Sequence, residues 1–102
     1  MHRLVPPIFA LILAACSSSQ VPDLRDYAGS LVGRGIDVVR QLVRRPGSHA
    51  DTVGWQERTY TLPNGHWVYV EPDRANCEIH YEVDGQDVIV DYTLVGRGCL
   101  HQ

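Results

Sequence analysis

The chain contains no lysine, and all nine of its permanently basic side chains are arginines. Twelve acidic residues outnumber them, so the formal net charge is −3 at pH 7. A nucleic-acid-binding domain carries a clear excess of basic residues, and this deficit argues against that class. The charge is also uneven: residues 23–45 hold five Arg and three Asp, whereas residues 46–102 hold three Arg and nine acids. The sequence therefore predicts a weakly basic first part and an acidic second part.

The apolar segment near the N-terminus is too short to be a membrane-spanning helix. Residues 4–15 are mostly apolar, but a spanning helix needs roughly 20 such residues, and Pro6-Pro7 would interrupt a helix near its start. Arg3 precedes the segment, and small residues close it. A charged start, a short apolar core and small residues before a cleavage point are typical of an export signal. The alternatives are a buried N-terminal helix and an ordinary signal for soluble secretion.

The last four residues of this segment, Leu13-Ala14-Ala15-Cys16, resemble the lipobox of bacterial lipoproteins. The resemblance implies cleavage before Cys16, a diacylglyceryl group on its sulfur, and often a further acyl chain such as palmitate on its new amino group. Two or more chains hold a small domain stably on a membrane, because each buried CH2 contributes about 0.8 kcal/mol. Ser17 follows the cysteine, which resembles lipoproteins sorted to the outer membrane and facing the periplasm. We expect a signal peptide at 1–15, a lipidated cysteine and flexible tether at 16–22, and a folded domain at 23–102.

Cysteine is scarce, with only Cys77 and Cys99 besides the lipobox residue. They show no Cys-x-x-Cys spacing, so the alternative of a redox or metal role has little support. An exported chain reaches an oxidising compartment, where two such cysteines are expected to pair. The predicted domain has room for only one modest core, and a disulfide across this loop contributes about 3 kcal/mol in the chain-entropy model. We therefore predict a Cys77–Cys99 disulfide.

Apolar residues recur at helical spacing in the first half of the domain, beginning after Asp23, which can cap a helix. Gly33-Arg34-Gly35 ends the first helix, and Pro46-Gly47 stops the second. The residues that form the two apolar stripes are Leu24, Tyr27 and Leu31, then Ile36, Val39, Leu42 and Val43. The pattern predicts two short helices.

From Trp55 onward the apolar period changes to two, which is typical of strands. Pro63-Asn64-Gly65 and Asp84-Gly85 are hairpin signals. They divide the region into strands that we expect at residues 55–62, 66–71, 77–83 and 88–94, with a loop at 72–76. The predicted fold is α+β: two short N-terminal helices packed on a four-stranded antiparallel meander sheet, in two layers.

No catalytic constellation is visible in the sequence, and we predict neither an enzyme nor a metal or cofactor site. The histidines at 49, 66, 80 and 101 show no metal-ligand spacing. His80 lies between Glu78 and Glu82, a pattern that more often marks a solvated strand face than a metal site. Asp87 and Asp91 could form a carboxylate pair, but acid–base catalysis would require the two carboxylates to be buried.

Three apolar residues are the best candidates for a protein contact. If Pro63-Asn64-Gly65 is a three-residue turn, Thr59 faces Tyr69 and Thr61 faces Trp67. We then expect the helices to cover the opposite face, and Trp67, Tyr69 and Ile89 to form an open, possible protein-binding face. In one alternative, Trp67 and Tyr69 lie in the core and Val68 and Val70 lie outside. In another, the two aromatic residues only form cross-strand pairs with threonine. The full set expected beneath the helices is Tyr60, Leu62, Val68, Val70, Ile79, Tyr81, Val88 and Val90.

The order of lipobox, tether, two short helices and meander sheet is similar to the SmpA/OmlA (BamE-like) outer-membrane lipoproteins. The likeness covers roughly residues 24–94 and includes the Gly33-Gly35 break, the Pro46-Gly47 helix end and the strand Trp67-Val68-Tyr69-Val70. It implies a non-catalytic binding or assembly protein, attached to the membrane through lipid on Cys16 and partnered by an envelope protein. The same layout also resembles periplasmic inhibitor domains, so an inhibitor or immunity-type protein is the alternative.

Overall fold

The computed structural model describes residues 23–100, and it shows three helices followed by a four-stranded antiparallel sheet. The predicted α+β class and the meander order β1-β2-β3-β4 are therefore confirmed. The helices are α1 (Leu24–Leu31), α2 (Ile36–Val43) and α3 (His49–Val53). The strands are β1 (Arg58–Thr61), β2 (Trp67–Arg74), β3 (Cys77–Val83) and β4 (Ile89–Val95), and a 3-10 turn follows at Arg97–Leu100. None of the helices in this part of the chain has the length and apolar character to cross a membrane.

The first two helices begin and end where the sequence predicts. The carboxylate of Asp23 accepts the backbone N–H of Arg25 at 3.0 Å and so caps α1. Both helices turn one apolar stripe toward the sheet, because their buried residues recur at intervals of three or four. These residues are Leu24, Ala28 and Leu31 in α1 and Ile36, Val39 and Val43 in α2.

The third helix was not predicted. The hydroxyl of Ser48 accepts the N–H of Asp51 at 3.1 Å, which caps the first turn. Gly54 ends the helix in the left-handed conformation at φ 69°, where glycine has no steric penalty. A serine cap and a closing glycine are recognisable signals, but the helix is only five residues long and buries a single side chain, Ala50.

The first hairpin has the predicted register, with Thr59 paired to Tyr69 and Thr61 paired to Trp67. The second strand is longer than predicted: it continues through the expected loop to Arg74. Its pairing with β3 shifts between Pro72 and Arg74, which is an irregularity of the bulge type.

The chain after β4 folds back onto the turn between β2 and β3. Gly98 donates its N–H to the carbonyl of Asn76 at 2.8 Å. A side chain at Gly96 or Gly98 would collide with the backbone of that turn, so both positions require glycine. This close approach brings Cys99 to Cys77, and the structure joins them as the predicted disulfide with Cα atoms 4.9 Å apart.

The link between α1 and α2 attaches the helices to the far edge of the sheet. Ile89, at the start of β4, donates to the carbonyl of Arg34 at 2.9 Å and accepts the N–H of Gly33 at 2.7 Å. Gly35 forms an isolated antiparallel bridge with Val88. The helical layer is therefore fixed to β4 by backbone hydrogen bonds as well as by its apolar stripe.

The core lies between the helices and the face of the sheet that carries Tyr69 and Tyr81, and both of these residues are 0% exposed. They are direct partners in the β2–β3 register, so their side chains point to the same side. The other sheet residues in the core are Cys77, Ile79, Val83 and Ile89.

The expected open face of Trp67, Tyr69 and Ile89 is wrong. Tyr69 and Ile89 are completely buried beneath the helices, and Trp67 packs against the same core. The alternative position of Trp67 and Tyr69, in the core, agrees with the structure. The error arose at the β2–β3 boundary, where the irregular pairing near Pro72 reverses the phase that a simple loop would give. Alternation within β1, β2 and β3 was correct, but Tyr60, Leu62, Val68 and Val70 share the opposite face from Ile79 and Tyr81. In β4 the alternation was wrong: a second irregularity, at the Glu82 and Val83 pairs, buries Ile89 and leaves Val90, expected beneath the helices, 39% exposed.

Candidate binding surface

No described helix covers the sheet side turned away from the helical layer, and we call this side the outer face. Register places on it the alternate residues of all four strands. They are Arg58, Tyr60, Val68, Val70, Glu78, His80, Glu82, Asp91, Thr93 and Val95. Tyr60 is 46% exposed, and it is the only aromatic residue among the exposed large hydrophobic residues of the described chain.

A chain of polar contacts crosses the outer face from β1 to β3. The Arg58 guanidinium donates to both carboxylate oxygens of Glu78, at 2.8 and 3.2 Å. Nε2 of His80 lies 3.0 Å from Glu78, and its Nδ1 lies 2.9 Å from the hydroxyl of Tyr60. Hydrogen bonds from Arg58 first, and from His80 second, lower the pKa of Glu78 below its usual value. The carboxylate therefore stays ionised and holds the three other groups in place.

This polar layer explains why two valines on the outer face are buried without a covering helix. Val70 pairs with Arg58 on one side and His80 on the other, and Val68 pairs with Tyr60 and Glu82. The exposures of both valines are 5% or less, and these cross-strand partners are the neighbouring side chains that can shield them. Long polar side chains commonly shield apolar surface with their stems while their heads remain in water.

A second polar group lies at the end of the outer face next to the first hairpin turn. Nδ1 of His66 lies 2.6 Å from the carboxylate of Glu82, which also accepts a hydrogen bond from the side-chain amide of Asn64 at 3.2 Å. The hydrogen bond with His66 is the main cause of the lowered pKa of Glu82. Glu82 is also the direct cross-strand partner of Asp91, so two carboxylates face each other across β3 and β4.

A groove of about 370 Å3 lies among these groups. Tyr60 and His80 contribute its aromatic part, and Glu82 and Asp91 contribute its acidic part. Its remaining lining residues are Leu62, Val68, Tyr92, Thr93 and Val95. The groove can therefore contact apolar and cationic parts of a ligand at the same time.

Trp67 takes part in a different arrangement, on the helix side. The Arg40 guanidinium lies 5.5 Å from its ring centroid and 5.4 Å from that of Tyr69, within the range of cation–π contacts. The hydroxyl of Tyr69 donates to Glu57 at 3.0 Å, and Glu57 also pairs with Arg44 at 3.2 Å. These contacts tie α2 to β2, so Trp67 and Tyr69 act in packing and not in an exposed contact surface.

A carboxylate is buried on the same side, between α1 and the sheet. Glu71 is 8% exposed, and its oxygens accept the hydroxyls of Tyr81 at 2.6 Å and Tyr27 at 3.0 Å. Loss of solvation on burial raises the pKa of Glu71, and the two hydroxyl donors only partly oppose that effect. Burial also raises the pKa of Tyr27 and of Tyr81, with the Glu71 charge as the second cause, so both remain donors.

In residues 23–100 no group of three or more His, Cys, Asp and Glu side chains is placed to hold a metal ion. Cys16, the predicted lipidation site, lies outside these residues. Cys77 and Cys99 are used in the disulfide. Sequence reasoning missed the groove because it assigned Tyr60 and Val68 to the covered face, although it recognised the polar side of His80, Glu78 and Glu82.

No protein-family model matches the chain, and neither a curated protein nor a solved structure matches it.

Replacing the buried carboxylate should change how stability depends on pH. The pKa of Glu71 is raised in the folded state. The wild type therefore gains stability at pH values below the pKa of this residue in the unfolded chain, and loses that gain as the pH rises through its pKa in the folded protein. Glu71→Gln keeps an oxygen that can accept the Tyr81 hydroxyl but carries no charge. We expect the free energy of unfolding of Glu71→Gln, relative to that of wild type, to be higher at pH 7.5 than at pH 4.5. Urea unfolding at the two pH values measures this difference.

The control for this measurement is Tyr81→Phe, which removes one donor from Glu71 and retains its charge. Since that hydrogen bond lowers the pKa of Glu71, its loss should make stability fall more steeply with rising pH. Parallel pH profiles for wild type and Glu71→Gln would contradict the burial of an ionisable carboxylate at this position.

Proposed function

We propose that this protein is a lipid-anchored envelope lipoprotein, facing the periplasm, whose domain binds another envelope protein and does not catalyse a reaction. The observation that carries the proposal is Leu13-Ala14-Ala15-Cys16, which closes a short apolar run preceded by Arg3. The mostly polar composition of residues 17–22 supports their proposed role as a tether between the lipid and the domain. The tether leads directly to Asp23, the cap of α1.

The Cys77–Cys99 disulfide supports an oxidising location for the domain. The fold is small and has one core, so it benefits from a covalent link between the end of the chain and the sheet. Ser17 after the lipobox cysteine supports the outer membrane as the destination, by resemblance to sorted lipoproteins.

Binding is supported by the way in which apolar side chains are exposed. Five large hydrophobic residues of the described chain are exposed, and three of them lie on the edge strands β1 and β4. These three are Tyr60, Val90 and Val95. Exposed aromatic and aliphatic residues beside a groove are common features of protein contacts. The helices-then-meander order also supports the likeness to SmpA/OmlA (BamE-like) lipoproteins, whose role is non-catalytic.

Anchoring is tested by Cys16→Ala, which removes the sulfur that would carry the lipid. We expect wild type to incorporate labelled palmitate and to enter the detergent phase of a phase-separation experiment, and the variant to do neither. Ser17→Ala is the matched control, since it changes the neighbouring residue and leaves the cysteine. Unchanged membrane recovery of Cys16→Ala, together with a wild-type mass that shows no lipid, would contradict the proposed anchor.

Binding through the outer face is tested by photo-crosslinking in intact cells. A benzoylphenylalanine in place of Tyr60 should give a discrete adduct, because position 60 faces the groove. The same probe in place of Val53, which is exposed on α3, is the control. Adducts from position 53 but none from position 60 would contradict the surface. Mass spectrometry of the adduct separates the two functions: an envelope-assembly protein supports the proposal, whereas a toxin or hydrolase supports the inhibitor alternative.

A further inference from the structure

The acidic end of the outer face has more negative charge than the protein neutralises. Three acidic side chains, Glu78, Glu82 and Asp91, lie on the outer face, and neither β3 nor β4 contains an Arg or Lys. Arg58 neutralises Glu78 by a two-pronged contact, and His66 contacts Glu82 at 2.6 Å. The carboxylate of Asp91 accepts the backbone N–H of Tyr92 at 2.8 Å, and no salt bridge to it is formed within residues 23–100.

Asp91 lies opposite a second carboxylate in the sheet. Asp91 and Glu82 are direct cross-strand partners, and side chains in such pairs have Cβ atoms about 5 Å apart. Like charges at that spacing destabilise a sheet. A cation placed between the two carboxylates would gain charge-assisted hydrogen bonds from both.

Apolar and aromatic groups adjoin these carboxylates in the same groove. Leu62 and Val68 are apolar lining residues, and Tyr60 presents its half-exposed ring. A ligand that fits must therefore combine a positive head with an apolar stem. Arginine and lysine side chains have this construction, and a guanidinium can bond two carboxylates and stack on an aromatic ring.

We propose that the groove on the outer face binds an arginine or lysine side chain presented by an extended segment of a partner protein. The cationic head lies between Glu82 and Asp91, and the stem lies along Tyr60 and Val68. The inference rests on the proposed binding function and names the chemistry of its partner. Phosphate-rich partners are disfavoured, because the acidic groove repels the phosphates of lipids and nucleic acids.

The apolar residues on β4 favour a protein segment over a free amine. Val95 lines the groove and is 41% exposed, and Val90 on the same edge strand is 39% exposed. A segment that inserts one cation can cover such neighbours with its flanking side chains, and a small amine cannot. Burial of the flanking residues supplies the apolar part of the binding energy.

The test uses the full lipoprotein in non-ionic detergent and a short fluorescein-labelled peptide in which arginine alternates with valine and threonine. Anisotropy titrations give its affinity, and a matched peptide with citrulline for arginine keeps the shape without the charge. We expect the arginine peptide to bind at least tenfold more tightly than the citrulline peptide. Equal binding of the two peptides would overturn the proposal.

The site is located by comparing two substitutions that remove the same charge. Asp91→Asn retains an oxygen for the Tyr92 N–H, so the strand should fold normally, and we expect it to weaken the arginine peptide about tenfold. Asp87→Asn is the matched control: Asp87 is exposed on the same hairpin, does not line the groove, and has a positive φ of 63° that Asn tolerates. It should weaken binding less than about twofold. Equal losses of affinity in the two variants would show only diffuse electrostatic attraction and would overturn the proposal that the peptide binds in the groove.

Three further outcomes would also overturn the inference. Spermidine that displaces the peptide at equal concentration would identify a free-amine site. Sedimentation that shows self-association abolished by Asp91→Asn would identify a second copy of this chain as the occupant. Position-60 photo-adducts that survive Asp91→Asn unchanged in cells would leave the proposed binding function standing and remove the cationic partner. Loss of the adducts in Asp91→Asn, with their retention in Asp87→Asn, supports both the proposed binding function and the cationic partner.

Discussion

The pairing of Tyr69 with Tyr81 across β2 and β3 is the constraint on which the rest of the domain depends. Both rings are fully buried on the helix side, and each hydroxyl must find an acceptor because it is removed from water. Tyr69 donates to Glu57 and Tyr81 donates to Glu71. The first carboxylate also contacts Arg40 of α2, and the second also accepts the hydroxyl of Tyr27 of α1. One cross-strand pair therefore fixes the position of both longer helices.

The same pairing determines what the opposite side of the sheet can do. With the tyrosines turned inward, Tyr60, His80, Glu82 and Asp91 are necessarily on the outer face. No described helix covers this side, so its valines are shielded by polar neighbours instead of by a second apolar layer. This face combines a mostly polar surface with a groove that has apolar and acidic parts. Such a combination suits reversible protein contact.

The sequence predicted those features that depend on local signals. Asp23 marks the start of α1, and Pro63-Asn64-Gly65 fixes the β1–β2 register, since turn geometry sets pairing. The disulfide was predictable from the expectation of export, since the two cysteines outside the lipobox allow only one intramolecular pairing. The side of β2 that faces the helices was not predictable in this way. Alternation shows which residues share a face, but the irregular pairing near Pro72 decides which face meets Tyr81.

The groove was missed for the same reason, and the third helix for another. Once β2 was placed with the wrong side inward, Tyr60 was assigned to the core and Trp67 to the surface. The five-residue helix α3 has caps at Ser48 and Gly54 but almost no apolar stripe, and periodicity cannot detect so short an element. The proposed anchor at Cys16 lies outside the described residues, and the proposed partner is a separate molecule.

The central claim, that the sheet turns Tyr69 and Tyr81 inward and Tyr60 outward, is tested most directly by tyrosine nitration. The folded protein is treated with tetranitromethane, and the modified positions are mapped by peptide mass spectrometry. The account predicts rapid nitration of Tyr60, which is 46% exposed, and protection of Tyr69 and Tyr81, which are 0% exposed, until the protein is unfolded. Nitration of Tyr69 or Tyr81 in the folded protein at the rate of Tyr60 would contradict it.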